Sequence, residues 1–356
     1  MAAGTGTITQ VQAARLATND IDKTITMAVV KASTVLEDVQ FRTTGSRQYR
    51  FYRAVDSLPQ HKWSNFNVTH PIVRGDIETQ DAEMFLLGAQ IQIDDKYLRD
   101  KLIESPLALN IDMLTKALAH KYTDAFFNGW NKDEGVDQNN NPVKSFPGLA
   151  YRCNNPADFG LAATCKLDAQ VVAGGTAGGT TVDISFAGIN QSKAQLFEYT
   201  MDYALSVVNG GDNSGVASYA PRDIWVRLPH IMRTASSFAT MKDSFGRDVP
   251  TYSGVPVRDC GVVTPVRDFT VLANRSIGRE NTDGTRNDAS GTTTSLYYAV
   301  HGPNNLYGIQ QFGIENKDLG LDPTNGVFRN FMSQWPNGLV NRQPWDLCRL
   351  FDLKIA

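Results

Sequence analysis

"FRTTGSRQYRFYRAVDSLPQHKW", residues 41–63, carries five Lys or Arg side chains (Arg42, Arg47, Arg50, Arg53 and Lys62) against the single Asp56. Tyr49, Phe51 and Trp63 stand among them. Arg neutralises phosphate and aromatic rings stack on bases, so the stretch taken alone has the chemistry of a nucleic-acid ribbon. Its periodicity points to strands. Val39-Gln-Phe41-Arg42 and Arg47-Gln-Tyr49-Arg50-Phe51-Tyr52-Arg53 alternate, and Thr44-Gly45-Ser46 between them has turn chemistry, so the spacing predicts a β-hairpin. With Arg at every second or third position, both faces are substantially polar, and such a hairpin projects from the body.

Downstream of Leu58-Pro59 the charge reverses: "DIETQDAEMFLLGAQIQIDD", residues 76–95, has six acidic residues (Asp76, Glu78, Asp81, Glu83, Asp94 and Asp95) and no basic one. The whole chain, 356 residues at a formal charge of -3, lacks the strongly basic footprint of a dedicated DNA or RNA binder. Segregated charge of this kind suits a homo-oligomer, in which one subunit's basic ribbon lies over the next subunit's acidic strand. In that reading Tyr49, Phe51 and Trp63 are packing anchors against a neighbour.

The remaining chain reads as α+β. Residues 1–34 are rich in Ala, Thr, Gly and Gln, which suits an extended arm. Leu107, Ile111, Leu114, Leu118, Tyr122 and Ala125 follow helical spacing, with Ser105-Pro106 at the start and Asn128-Gly129 as a stop. A second helix is expected over about 192–208, with Phe197, Met201, Ala204, Leu205 and Val208 on one side. Gly- and Asn-rich stretches at 131–153 and 174–181 read as loops. Residues 223–228 are expected as a strand and Pro229 onward as a helix. Further strands are expected at 255–258, 269–273, 295–300 and 347–355.

Catalytic patterns are missing from the sequence. The five histidines (His61, His70, His120, His230 and His301) are scattered, with no H-E-x-x-H spacing. No phosphate-loop signature accompanies Gly174 to Gly179, and no G-x-S-x-G elbow supplies a nucleophile. Cys153, Cys165, Cys260 and Cys348 form no C-x-x-C pair and are expected to be buried free thiols. No cofactor or metal site is expected. No stretch approaches the run of about twenty apolar residues that spans a bilayer, and the N-terminus has no signal-peptide core. The expectation is a soluble protein made in cytoplasm.

The order of elements resembles a known family. "VLEDVQFRTTGSRQYRFYRAVDSLPQHKW" is similar to the extended loop of the major capsid proteins of tailed double-stranded DNA bacteriophages, which share the Hong Kong 97 fold. "QIQIDDKYLRD" and the helix ending "DAFFNG" resemble that family's strand and spine helix. "VKSFPGLAYRC" is similar to the segment after the spine, and "YSGVPVRDCG" to a strand of the axial domain. The resemblance implies an N-terminal arm (1–37), an extended β-hairpin loop (38–72), a peripheral domain (73–185) with a spine helix over about 95–128, an axial domain (186–310) and a C-terminal return to the peripheral domain (311–356). It further implies hexamers and pentamers of an icosahedral shell that encloses double-stranded DNA without sequence-specific binding. The implied partners are a portal and scaffolding or decoration proteins, with no membrane. The implied location is the virion, after assembly in host cytoplasm. No catalytic residue is implied, and the absence of Lys from Thr44 to Arg47 gives no support to covalent cross-linking. Encapsulin shells share the fold and form the alternative. An α+β enzyme without a recognisable motif is the third reading.

Overall fold

The computed structural model describes residues 8–9, 33–54, 77–95, 106–129, 145–185, 189–234, 239–243, 245–260, 279–280, 293–322 and 326–355. In chain order the first elements are β1 (Ile8–Thr9), α1 (Val35–Asp38), β2 (Gln40–Thr43), β3 (Gln48–Ala54), β4 (Ile77–Glu83), β5 (Phe85–Asp94), α2 (Pro106–Asn128), α3 (Leu149–Asn154), β6 (Lys166–Asp168), α4 (Ala169–Val172) and α5 (Gln191–Val207). They are followed by β7 (Val216–Ala220), α6 (Arg222–Thr234), β8 (Ala239–Lys242), β9 (Asp248–Tyr252), β10 (Val255–Asp259), β11 (Arg279–Glu280), β12 (Thr293–Val300), β13 (Tyr307–Gln310), β14 (Glu315–Leu321), β15 (Phe328–Val340) and β16 (Leu347–Lys354).

Two mixed sheets share the body. In the first, β1, β2, β13, β15 and β14 follow one another, and β5 pairs with β15 along its whole length, from Phe85↔Asn337 to Asp94↔Phe328. In the second the order is β6-β16-β12-β7-β10-β9-β8, with β11 beside β12. Every residue of β12, "TTSLYYAV", is buried. A strand so rich in β-branched and aromatic residues fits a position covered on both faces. Within 311–356, β14 and β15 join the first sheet and β16 joins the second, between β6 and β12.

The helical periods place the core. Leu114, Leu118, Tyr122 and Ala125 of α2 are buried, as expected, and Phe126 is buried with them; the side chains of Leu107 and Ile111 lie outside the described residues. Tyr122 meets the first sheet at Trp335 and Phe41, with ring centroids 4.8 and 6.0 Å away. Phe127 meets the second at Tyr219 and Tyr297, at 5.5 and 5.4 Å. The C-terminal half of α2 therefore joins both sheets. It stops at Gly129, where an added Cβ would collide with the Phe146 carbonyl oxygen. In α5 the predicted stripe Phe197, Met201, Ala204 and Leu205 is buried, and Asn190 caps the helix by accepting from Lys193 N at 2.9 Å. The four cysteines are free and buried.

Two local expectations are corrected. Residues 223–228 are not a strand but the start of α6, in which Ile224, Leu228, Ile231 and Met232 are buried at helical spacing. That period runs through Pro229, so a six-residue window conceals it. After Thr234 the described chain resumes as strand β8, so the helix expected from Pro229 onward is short. The hairpin expected over 39–53 is also absent. β2 pairs in parallel with β13 and antiparallel with β1, and β3 pairs antiparallel with β4. The expected strand at 269–273 lies outside the described residues.

Candidate functional site at the charged hairpin

The basic strand and the acidic strand meet within one chain. In the β3–β4 register Arg50 faces Asp81 and Arg53 faces Glu78. Arg50 binds Asp81 with a two-pronged contact, Nε to Oδ1 at 2.8 Å and a terminal nitrogen to Oδ2 at 3.1 Å. That fork holds the Asp81 carboxyl below its usual range and the Arg50 guanidinium above its own. Arg53 reaches both Glu78 oxygens at 3.3 Å and donates to the Asp158 carbonyl.

Strand alternation gives the pair two faces. Inward, Tyr49 and Phe51 are stacked at 6.2 Å and pack with Ala82 against Met84, Tyr307, Ile309 and Val340. These two aromatics thus anchor to their own body. Arg42, on β2, lies over the Tyr49 ring at 5.4 Å. Outward stand Arg50, Tyr52, Ile77 and Asp81, with Tyr52 66% and Ile77 71% exposed. Arg342 fixes the base: its carbonyl accepts from Ala54 N at 3.1 Å and its Nε donates to Tyr52 O at 3.2 Å.

The other predicted residues are dispersed. Arg47 and Glu83 are exposed at the open end of the ladder. Asp94 and Asp95 sit at the far end of β5, opposite Phe328 and Val327. Lys62, Trp63 and Asp76 lie outside the described residues.

A buried polar cluster escaped the sequence reading. Arg258, on β10, binds Glu37 at 2.8 Å and Asp38 at 2.7 Å, both on α1. Tyr219 links Asp38, at 3.0 Å, to His301 Nε2, at 2.7 Å. Burial holds His301 down at about 3, hence neutral, and pushes Asp38 up to about 6 despite Arg258. A neutral imidazole that donates from Nε2 leaves the Tyr219 hydroxyl to donate to Asp38. The cluster clamps α1 to the second sheet. Its only sequence signal was the pair of carboxylates in a short apolar helix. Among the described residues no group of three or more His, Cys, Asp or Glu could hold a metal ion, and no helix is long and apolar enough to cross a membrane.

The two sheets, the helix that joins them and the β3–β4 pair make an α+β fold that resembles the folds of solved capsid and encapsulin chains. The chain is similar over 90% of its length to the holo-SrpI encapsulin of Synechococcus elongatus PCC 7942, with TM-score 0.56, 10% identity and 87% of that chain covered. It is similar over 91% to the capsid of the empty GTA particle, with TM-score 0.53, 12% identity and 90% of that chain covered. The satellite phage P4 procapsid gives TM-score 0.52 at 11% identity, over 94% of this chain and 100% of that one. No protein-family model matches the chain, and no curated protein matches its sequence.

Proposed function

We propose that the chain is a major capsid protein that assembles into hexamers and pentamers of an icosahedral shell around packaged double-stranded DNA. The observation that supports this is end-to-end similarity of fold to chains from a procapsid and a capsid. In this reading the outer face of the β3–β4 arm, with Arg50, Tyr52, Ile77 and Asp81, lies on a neighbouring subunit. Arg47 and Glu83 extend that contact. The partners are further copies, a portal and scaffolding or decoration proteins, and the location is the virion. Electron microscopy of the purified protein should reveal capsids, tubes or capsomers, and a monomer that stays dispersed at high concentration would sink the proposal.

A second reading, an encapsulin-like nanocompartment, is supported by the similarity to holo-SrpI. Particles isolated from the native source separate the two. Nuclease-protected double-stranded DNA in the lumen favours the capsid, whereas a protein cargo without DNA favours the compartment.

A further inference from the structure

Arg152, on α3, is a buried charge without a counter-ion among the described residues. It is 4% exposed, and neutral acceptors alone hold it: Nε donates to Pro147 O at 2.8 Å, and the terminal nitrogens donate to Leu339 O at 2.8 Å and to Asn341 Oδ1. Burial lowers its affinity for the proton, and the charge of Arg53 lowers it further. Arg53, 5% exposed, borders the same space, and no acceptor among the described residues reaches its Nε. Both arginines line a cavity of about 220 Å³ beside the β3–β4 pair, walled in part by Phe51, Ala82, Phe85 and Phe159.

The negative groups nearby do not fill this role. Asp81 and Glu83 line the cavity from β4, but alternation turns their side chains to the outer face, where Arg50 holds Asp81. Asp158 is exposed and offers Arg53 its carbonyl. Among the described residues Glu78 is the one carboxylate on Arg53, at 3.3 Å, and its side chain is 41% exposed. With Arg53 matched by Glu78, Arg152 keeps its charge beside the aromatic walls, a setting that favours an incoming anion.

We propose that this cavity is a carboxylate pocket: a carboxylate on a short apolar stem binds the Arg152 guanidinium beside the charge of Arg53, with its stem against Phe51, Phe85 and Phe159. The aromatic walls favour an organic acid over bare phosphate. Arg152 is pre-positioned for this, with its guanidinium 4.7 Å from the Phe159 ring centre. The carboxylate comes from an acidic side chain of another copy of the chain or from a free organic acid; the first source rests on the shell reading.

The test titrates the full chain, as unassembled subunits, with sodium propionate against sodium chloride at equal ionic strength, and follows the thermal midpoint. Propionate should raise the midpoint above chloride, and Arg152→Met should weaken that response at least about tenfold. Ala82→Leu narrows the cavity while leaving both guanidiniums in place and should abolish the response in a folded subunit, so the test survives if Arg152→Met fails to fold. Equal responses to propionate and chloride, or a propionate response that Ala82→Leu leaves intact, overturn the pocket. Assembled particles then identify the source: if they ignore propionate, a neighbour's carboxylate fills the site, and if they respond as subunits do, a free acid fills it. Subunits that bind propionate but never assemble refute the shell and leave the pocket standing.

Discussion

Tyr52 and Ile77 lie diagonally across the β3–β4 pair on its outer face, each with about two-thirds of its surface in water. A neighbour that covered the exposed part of Tyr52 would remove about 130 Å² of the roughly 200 Å² that an aromatic side chain can bury. At about 25 cal/mol per Å² the upper limit is about 3 kcal/mol for that contact. Truncation at an interface usually delivers less, so about 2 kcal/mol is expected for Tyr52→Ser, which raises the concentration needed for assembly about thirtyfold.

The folded subunit should barely notice. The Tyr52 carbonyl keeps its bond from Arg342, and an exposed strand position of this kind costs less than about 1 kcal/mol. Light scattering against protein concentration gives the assembly threshold, and urea unfolding of the same preparation gives subunit stability. If the threshold moves by less than about twofold while urea stability is unchanged, the outer face does not meet a neighbour and the reasoning fails.

Arg50→Glu places a like charge opposite Asp81 and should impair assembly while circular dichroism remains that of a folded subunit; an unchanged particle yield refutes the contact. Assembly should also depend only weakly on salt, because Arg50 and Arg53 already have partners in their own chain. A threshold that rises more than about tenfold between roughly 0.05 and 0.5 M salt would show that unpaired charges govern the contact. Trp335→Phe removes an indole that touches Phe41 and Tyr122 and donates to Gln310 Oε1 at 3.0 Å. The resulting void and orphaned acceptor should together cost about 2–4 kcal/mol in urea unfolding, and a loss under about 1 kcal/mol would refute the packing. Burial pushes Asp346 up to about 7, although Arg342 N, Gln343 N and Asn305 donate to it. Since the folded value exceeds the unfolded one, its contribution to stability is full below the usual 3.8 and is lost as pH rises through about 7. Asp346→Asn should remove that loss, and parallel stability-against-pH curves for the two proteins would contradict it.

Much of the body was legible because its signals are local. The stripes Leu114-Leu118-Tyr122 and Phe197-Met201-Ala204 each lie on one helix, and a 3.6-residue period needs no knowledge of partners. The arm was misread because pairing is not local. β2 and β3 both alternate and the turn chemistry of Thr44-Gly45-Ser46 fits a hairpin, yet β2 gains more by burying Phe41 against Trp335 and Tyr122. The correct partner had left a trace: Arg50 and Arg53 are spaced by three residues, as are Glu78 and Asp81, which is the antiparallel match the structure adopts. The Glu37–Asp38–Arg258 cluster had no such trace, since its members become neighbours only after β7, β10 and α1 have docked.

The pairing of charges inside the arm also answers the nucleic-acid chemistry of residues 41–63. A ribbon with free arginines would bind any polyanion, and a separate acidic strand would attract any cation, so each subunit would carry two promiscuous surfaces. Folding β3 onto β4 satisfies Arg50 with Asp81 and Arg53 with Glu78, while Tyr49 and Phe51 turn inward onto the first sheet. The arm is left nearly neutral, with Tyr52 and Ile77 as its outward apolar groups. The ladder and Arg342 have already ordered this face, so little conformational entropy would remain to be lost on contact with a neighbour. The arginines act first on the chain's own shape, and through that shape they determine which surface the arm presents.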